Sequence, residues 1–526
     1  MGARADVEDW RKGLVLSERT KEAVLELEPR EVFSRFAEIS AIPRGSGCEK
    51  AVSDHILRFA EERGLEAWQD ESGNLLVRKP GGHGMEAAPP VILQAHLDMV
   101  WVKEPGSDFD FAAMPIELIV DGGMLRARGT TLGADDGIGV AYMLALLDAA
   151  DIPHPPIEAV FTVAEETGMD GALCFDVSRL TGLRCVNIDS EEEGIFYASC
   201  CGGARIDMKL PAPGVSVTSL ELSGRHGFHS IAVGGLRGGH SGVEIDKGLG
   251  NANRLLGRVL FDLDTEFGIH LCGVGGGIAD NAIPAAAEAV VLIRDTQTAA
   301  VRERLGEWNA VFIDELAASD GKPDAAGAAF KPKIDFVPAG KCAEVFAASA
   351  QKAILAAMVL IPTGVEAMDM NGDAAERIPE SSQNFAIVSA RDGQVVFSVS
   401  LRSSLASKLE FMEARLRALA GVLGGDVEKR GEYPGWRYDP ESAIRKVFVE
   451  AFRRIVEGRE ASIAGIHAGL ECGVFARKYL DGGRKLDLIS IGPDLRDVHT
   501  PQESLDIASA GRTWELLKTA LGMMGT

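Results

Sequence analysis

Charged and imidazole side chains recur where apolar runs of this sequence end. His96 and Asp98 follow VILQA, Asp135 and Asp136 stand before GIGVAYMLALL, Glu165 and Glu166 follow FTVA, Asp189 follows CVNI, and His499 lies late in DVHTP. Two histidines and several carboxylates brought to one spot would make a metal site, since imidazole and carboxylate suit zinc, cobalt or manganese. No paired cysteines accompany them, which removes a structural zinc reading. One ion needs only three or four donors. The surplus of carboxylates, each costly to bury uncompensated, is better explained by two divalent ions sharing a bridging carboxylate, the arrangement of a two-metal hydrolase.

Local geometry separates some roles. His96 and Asp98 are two apart, so in an extended segment they share a face: His96 can ligate while Asp98 braces its imidazole. Glu165 and Glu166 are adjacent and point apart, so one can ligate while the other takes a proton from a metal-activated water. Each motif alone also reads as a solvated turn or a helix cap. Their joint occurrence at successive run ends is what favours a site.

Those runs must be strands. Val91 to Ala95, Ile157 to Val163, Cys185 to Ile188 and Leu486 to Ile491 are short, apolar and bounded by turns, as in the buried strands of a mostly parallel sheet. Helical stretches separate them, including Gly137 to Ala149 and Glu31 to Ala60, the latter broken near Pro43 and Gly45. Alternating strands and helices predict an α/β domain whose ligands gather at the carboxyl ends of the strands. From about 203 to 406 the texture changes to alternating runs, such as Ala287 to Arg294 and Gln394 to Leu401, with long polar turns. The reading is therefore a catalytic domain formed by 1–202 and 407–526, with 203–406 inserted as an α+β domain.

Composition bounds the rest. At 526 residues the chain exceeds one core. A net charge of -24 argues against nucleic acid and anionic membrane surfaces, which need basic patches. The eight cysteines are scattered, the N-terminus lacks a signal-peptide core, and no apolar run approaches the roughly 20 residues of a membrane span. A reducing, cytoplasmic setting is expected.

HLDM, GADDGIG, AEETGMDGA, NIDSEEEG, GGHSG and a late histidine, in this order, resemble the zinc aminoacylase and carboxypeptidase superfamily. Within it, GGHSGVEIDKGLGNAN, DNAIP and IHAGLECG resemble the aminoacyl-histidine, carnosinase-like dipeptidase branch. The resemblance runs from about Glu31 over nearly the whole chain. It implies one metal held by His96 and Asp189, the other by Glu166 and His499, with Asp135 bridging. It makes Asp98 the residue that orients His96, Glu165 the general base, and Asp136 the residue after an unusual peptide bond. The insert becomes a lid whose His240 stabilises the oxyanion, with Asn281 and Arg402 contacting substrate. Gly469 offers backbone approach, with His467 and Glu471 as its polar wall. A small peptide substrate and a homodimer are also implied. Two features depart from the pattern: an extension over residues 1–30 and a longer stretch from Asp320 to Lys333, read as a mobile loop.

Other classes find less support. CGVGGGIAD lacks the spacing of a dinucleotide fingerprint, and no GxSxG elbow is present. A relative that binds metal without catalysis would not need Glu165 or Asp98. An acyl-amino acid hydrolase or a broader aminopeptidase with the same metals stays open.

Overall fold

Largely apolar runs need cover on both faces, and four of them lie side by side at the centre of one sheet. The computed structural model describes residues 26–322, 330–369 and 378–525, together with Thr20 and Val24. Val91–His96 pairs in parallel with Ile157–Thr162 on one side and Arg184–Asn187 on the other, and Arg184–Asn187 pairs in parallel with Asp487–Ser490. Both six-residue strands of this group are buried throughout. Beyond them the sheet is antiparallel: Leu75–Lys79 joins Ile157–Thr162, Glu66–Gln69 joins Leu75–Lys79, and Ile195–Cys200 meets Asp487–Ser490 at its other flank. The sheet is thus mixed rather than mostly parallel. The turn between Gln69 and Leu75 is far too short for a crossover and allows only a hairpin.

Helix Ala134–Asp148 is buried nearly all round, as its apolar sequence requires, and packs on strand Val91–His96 and helix Arg30–Ser40. Its regular turns begin at Gly137, because Asp135 (φ -79°, ψ 113°) and Asp136 (φ -104°, ψ 32°) lie outside the helical region. The stretch from Glu31 to Ala60 forms two helices, Arg30–Ser40 and Lys50–Glu62, with Pro43 and Gly45 in the break. Trp514, on the last helix Ile507–Met523, is fully enclosed: its ring stacks on Tyr142 at 6.0 Å and its indole N–H donates to Glu31 at 2.9 Å.

Contacts divide the chain into two compact units. The first ends at Ser199 and resumes over Trp436–Gly465 and from Leu470; the second is Cys200–Gly435 with Ile466–Gly469. The return to the first unit therefore falls at Gly435/Trp436 rather than at 406/407. Strand Gly202–Pro211 pairs with Gln394–Ser403 on one edge and Asp426–Tyr433 on the other, and helix Ala406–Val422 packs on both Gly202–Pro211 and Asp426–Tyr433, so these segments complete the second unit's sheet. That sheet is antiparallel at every pairing, and includes Ala287–Arg294 as the alternation predicted. Its core holds Leu256, Leu260, Val291, Ile354, Phe385 and Phe397.

Of the two departures from the family pattern, residues 1–19, 21–23 and 25 of the extension and 323–329 of the stretch Asp320 to Lys333 lie outside the described residues. Asp320 itself is buried and accepts the backbone N–H of Arg237 and Gly250, each at 2.8 Å, so it anchors that stretch. Among the described residues no helix is long and apolar enough to cross a membrane.

Truncating the enclosed indole removes a large buried volume and leaves Glu31 without its donor. Trp514→Ala is expected to cost about 3–5 kcal/mol in urea unfolding. A loss below about 1 kcal/mol would show that this stack does not hold the last helix to the core.

Candidate metal centre

Parallel neighbours end at one edge, so residues that follow them converge there. His96 ends its strand, Glu165 and Glu166 come just after Ile157–Thr162, and Asp189 just after Arg184–Asn187. Asp135 sits among them at the start of helix Ala134–Asp148. Its two carboxylate oxygens face different histidines: Oδ1 is 3.1 Å from His96 Nε2, and Oδ2 is 3.1 Å from His499 Nε2. His96 Nε2 lies 3.5 Å from Asp189, and His499 Nε2 lies 2.9 Å from Glu166. His499 reaches inward from a left-handed backbone conformation, φ 64°. Donor atoms of His96, Asp135 and Glu166, and of His96, Asp136 and Asp189, fall within 4.8 Å of one another, close enough to hold an ion.

The electrostatics follow from crowding. Burial pushes the Asp189 carboxyl up to about 6, with Asp135 and Glu166 adding to the shift and His96 opposing it. Burial also raises Glu165 well above the ordinary range, opposed by His96 and reinforced by Asp189, Glu471 and Glu166. Among the described residues, the ion-pair partners of Asp135, Glu166 and Asp189 are the two histidines. The cluster carries more negative charge than these imidazoles can balance, and that is the deficit divalent cations relieve.

Two aspartates brace the cluster. Asp98 is fully buried, lies 3.3 Å from His96 Nδ1, and accepts the backbone N–H groups of Glu165 (3.0 Å) and Glu166 (3.2 Å) and the Ser46 hydroxyl (2.8 Å). It thus fixes both the imidazole and the EE turn. Asp136 is buried and accepts the His96 backbone N–H at 3.1 Å, tying the helix start to the strand end. Gly139 leaves it room: a Cβ there would stand 2.3 Å from its carboxylate. The Asp135–Asp136 peptide is cis.

A buried polar ladder that the sequence reading missed runs beneath. Gln94 donates to Glu471 at 2.5 Å, Thr162 donates to the same oxygen at 2.7 Å, and Asn187 donates to Gln94 at 2.7 Å. Ser490 continues it by donating to Asn187. Glu471 is fully enclosed, its carboxyl pushed up by burial to about 7, so it serves this ladder rather than an open wall. The signal was present in Gln94 and Asn187, which are polar residues inside otherwise apolar strands.

The remaining site residues belong to the second unit. The short ladder Gly239–His240 with Ala282–Ile283 sets His240 beside Asn281, whose carbonyl accepts the Ser241 N–H at 2.8 Å. Arg402 is buried on strand Gln394–Ser403, opposite Ser382, and donates to the Tyr433 hydroxyl at 3.2 Å, while its Nε has no hydrogen-bond partner among the described residues. Gly469 ends the segment Ile466–Gly469, in which Ala468 accepts the Cys201 N–H. His467 in that segment is buried between Cys201 Sγ (3.0 Å) and Ser382 Oγ (2.7 Å).

With this geometry in hand, similarity to known proteins becomes decisive. The family model described as peptidase family M20/M25/M40 matches residues 92–522. The chain belongs to that family. It is a peptidase, and family membership covers every residue of the metal centre. The cytosol non-specific dipeptidase of Escherichia coli (strain K12) is 35% identical over 498 residues, covering 94% of this chain and 98% of that protein. The crystal structure of aminoacylhistidine dipeptidase from Vibrio alginolyticus superposes with a TM-score of 0.83 at 32% identity, over 95% of this chain and 98% of that one. Aminopeptidase PepT from Bacillus cereus, at 16% identity and a TM-score of 0.53 over 95% of this chain and all of its own, shares the fold.

His467 supplies a pH test of the second unit. Burial first, then the Arg402 charge, lowers its pKa to about 3, against about 6.5 in an unfolded chain. The ring adds no pH dependence above about 6.5, and as pH falls toward 3 the unfolded state gains a proton that the folded state refuses. Stability should fall by a few kcal/mol over that window, and His467→Gln should flatten this part of the melting temperature against pH. An unchanged slope in the variant would refute the assignment.

Proposed function

We propose that this chain is a two-metal dipeptidase in which His96 and Asp189 hold one divalent ion, Glu166 and His499 hold the other, and Asp135 bridges them. The observation that carries the reading is the Asp135 carboxylate, whose two oxygens face the two histidines separately at 3.1 Å each. The donor set fits: imidazole nitrogens and carboxylates around an uncompensated negative charge suit zinc, with cobalt or manganese also accommodated. Bound ions would supply Lewis acidity for a water nucleophile and for the peptide carbonyl.

The protein's own groups do the rest. Asp98 holds the His96 ring and the EE turn in place, so that Glu165 is free to act as general base, taking a proton from the attacking water at its carboxylate and delivering it to the leaving amine. His240 stabilises the tetrahedral oxyanion, and Asn281, Arg402 and Gly469 contact substrate. Arg402 suits a substrate carboxylate, since it is a buried guanidinium with an Nε left over for a second hydrogen bond.

The relatives narrow the substrate. One is named a non-specific dipeptidase of the cytosol and the other an aminoacylhistidine dipeptidase. The reading is therefore cleavage of dipeptides with a free amino end, histidine being accepted on the carboxyl side, in the cytoplasm; that the enzyme works as a homodimer is added by the family resemblance alone.

The test is release of histidine from alanyl-histidine and β-alanyl-histidine by metal-stripped protein, before and after adding zinc, cobalt or manganese. Metal should restore turnover, Glu165→Ala should lose about 100-fold to 10,000-fold in kcat while still binding metal, and Asp135→Asn should fail to bind the pair. Cleavage of acyl-amino acids but of neither dipeptide would move the chain to the amidohydrolase reading. Turnover that survives Glu165→Ala would remove the base assignment.

A further inference from the structure

Two buried charges near the metal centre have no place in the chemistry described so far. Arg44, in IPRGSG, is 1% exposed, and Glu503, four residues after His499, is 2% exposed. Both spend their hydrogen bonds on backbone. The Arg44 guanidinium donates through Nη1 to the carbonyls of Leu97 and Asp98, at 3.1 Å each, and through Nη2 to the Gly133 carbonyl. Glu503 accepts from the amides of Leu132 (2.9 Å) and Gly133 (3.0 Å) on one oxygen, and of Ala134 (2.8 Å) and Asp135 (3.4 Å) on the other.

These bonds converge on one peptide segment, the loop that ends at Asp135. Arg44 ties it to the strand end bearing His96 and Asp98, and Glu503 ties it to the segment bearing His499, whose Thr500 carbonyl accepts the Glu503 N–H at 3.1 Å. The glycines make room. A Cβ on Gly133 (φ 69°) or on Gly137 would stand 2.5 Å from Arg44 Nη2. Helix-start amides are ordinarily capped by a local Ser, Thr or Asn, which buries no charge. Two buried charges from distant segments are a costly way to meet that need, and what they add is a fixed position.

We propose that Arg44 and Glu503 are positioning residues, a backbone clamp that presets Asp135 to bridge the two metals and locks its loop to the segments carrying His96 and His499. The inference rests on the two-metal reading above. The clamp acts on metal uptake, because a loop free to shift would present the Asp135 oxygens to one ion at a time.

The experiment titrates Co²⁺ into the full-length, metal-stripped protein against a chromophoric chelator, recording the visible cobalt spectrum and circular dichroism. Glu158→Gln is the control. That carboxylate is equally buried and also holds backbone, accepting Thr181 and Gly182 amides at 3.0 Å and 2.9 Å, but at the opposite end of strand Ile157–Thr162. Wild type should bind two Co²⁺. Glu503→Gln and Arg44→Lys should remain folded, bind Co²⁺ at least tenfold more weakly and show an altered cobalt spectrum, whereas Glu158→Gln should bind within twofold of wild type even where it melts earlier. Wild-type affinity and spectrum in folded Glu503→Gln would overturn the clamp and leave the two-metal reading standing. If wild type itself takes up fewer than two ions, the two-metal reading fails, and the clamp with it. If Glu503→Gln does not fold, Arg44→Lys decides the matter by the same criteria.

Discussion

Negative charge gathered at one edge of a sheet, with two imidazoles against a larger number of carboxylates, is the constraint around which the catalytic unit is built. Asp135, Glu165, Glu166 and Asp189 are pressed together where water is scarce, and burial first, with their mutual repulsion added to it, raises the pKa values of three of them. A fold tolerates such a cluster only if each group is held against its own tendency to turn outward to solvent. That explains the number of buried polar side chains spent on backbone at this edge: Asp98 on the EE turn, Asp136 on the His96 amide, and Arg44 and Glu503 on the Asp135 loop.

The sheet supplies the frame for this. Four parallel strands bring their carboxyl ends to one edge, and an almost wholly apolar helix packs against them, so the turns that carry the candidate donors start from rigid ground. The ladder from Glu471 through Gln94 and Asn187 to Ser490 links those strands just below the candidate metal centre and satisfies polar groups that would be expensive orphans in an apolar sheet. The second unit is organised differently, around a large antiparallel sheet with its own core, and it pairs its polar motifs by ladder: His240 beside Asn281, and Arg402 across from Ser382, on which His467 rests.

Much of this was legible in the sequence because it is local. Apolar runs with a charged residue at the end mark strands and candidate donors together, and in an extended segment a two-residue spacing places Asp98 on the same face as His96. The α/β class, the candidate donor residues and the alternating texture of the second unit all follow from patterns a few residues long. Less local features came out differently. The sheet proved mixed because the hairpin Glu66–Gln69 with Leu75–Lys79, which lies outside the apolar runs read as strands, joins the flank of the parallel strands, and the second unit extends to Gly435 because strand Asp426–Tyr433 pairs with a segment more than two hundred residues earlier in the chain.

The sequence by itself determined which residues could ligate metal and which strands deliver them, since side-chain chemistry and strand period are properties of short segments. Only the tertiary structure decided that the two oxygens of Asp135 face different histidines, that Glu471 lies within the sheet rather than along a substrate wall, and that Arg44 and Glu503 hold the loop between them. The physical reason is sequence distance. Glu503 meets an amide 371 positions away and Gln94 meets a carboxylate 377 positions away, and no periodicity connects residues so far apart. Such contacts exist only once the core has closed and the groups have nowhere else to place their hydrogen bonds.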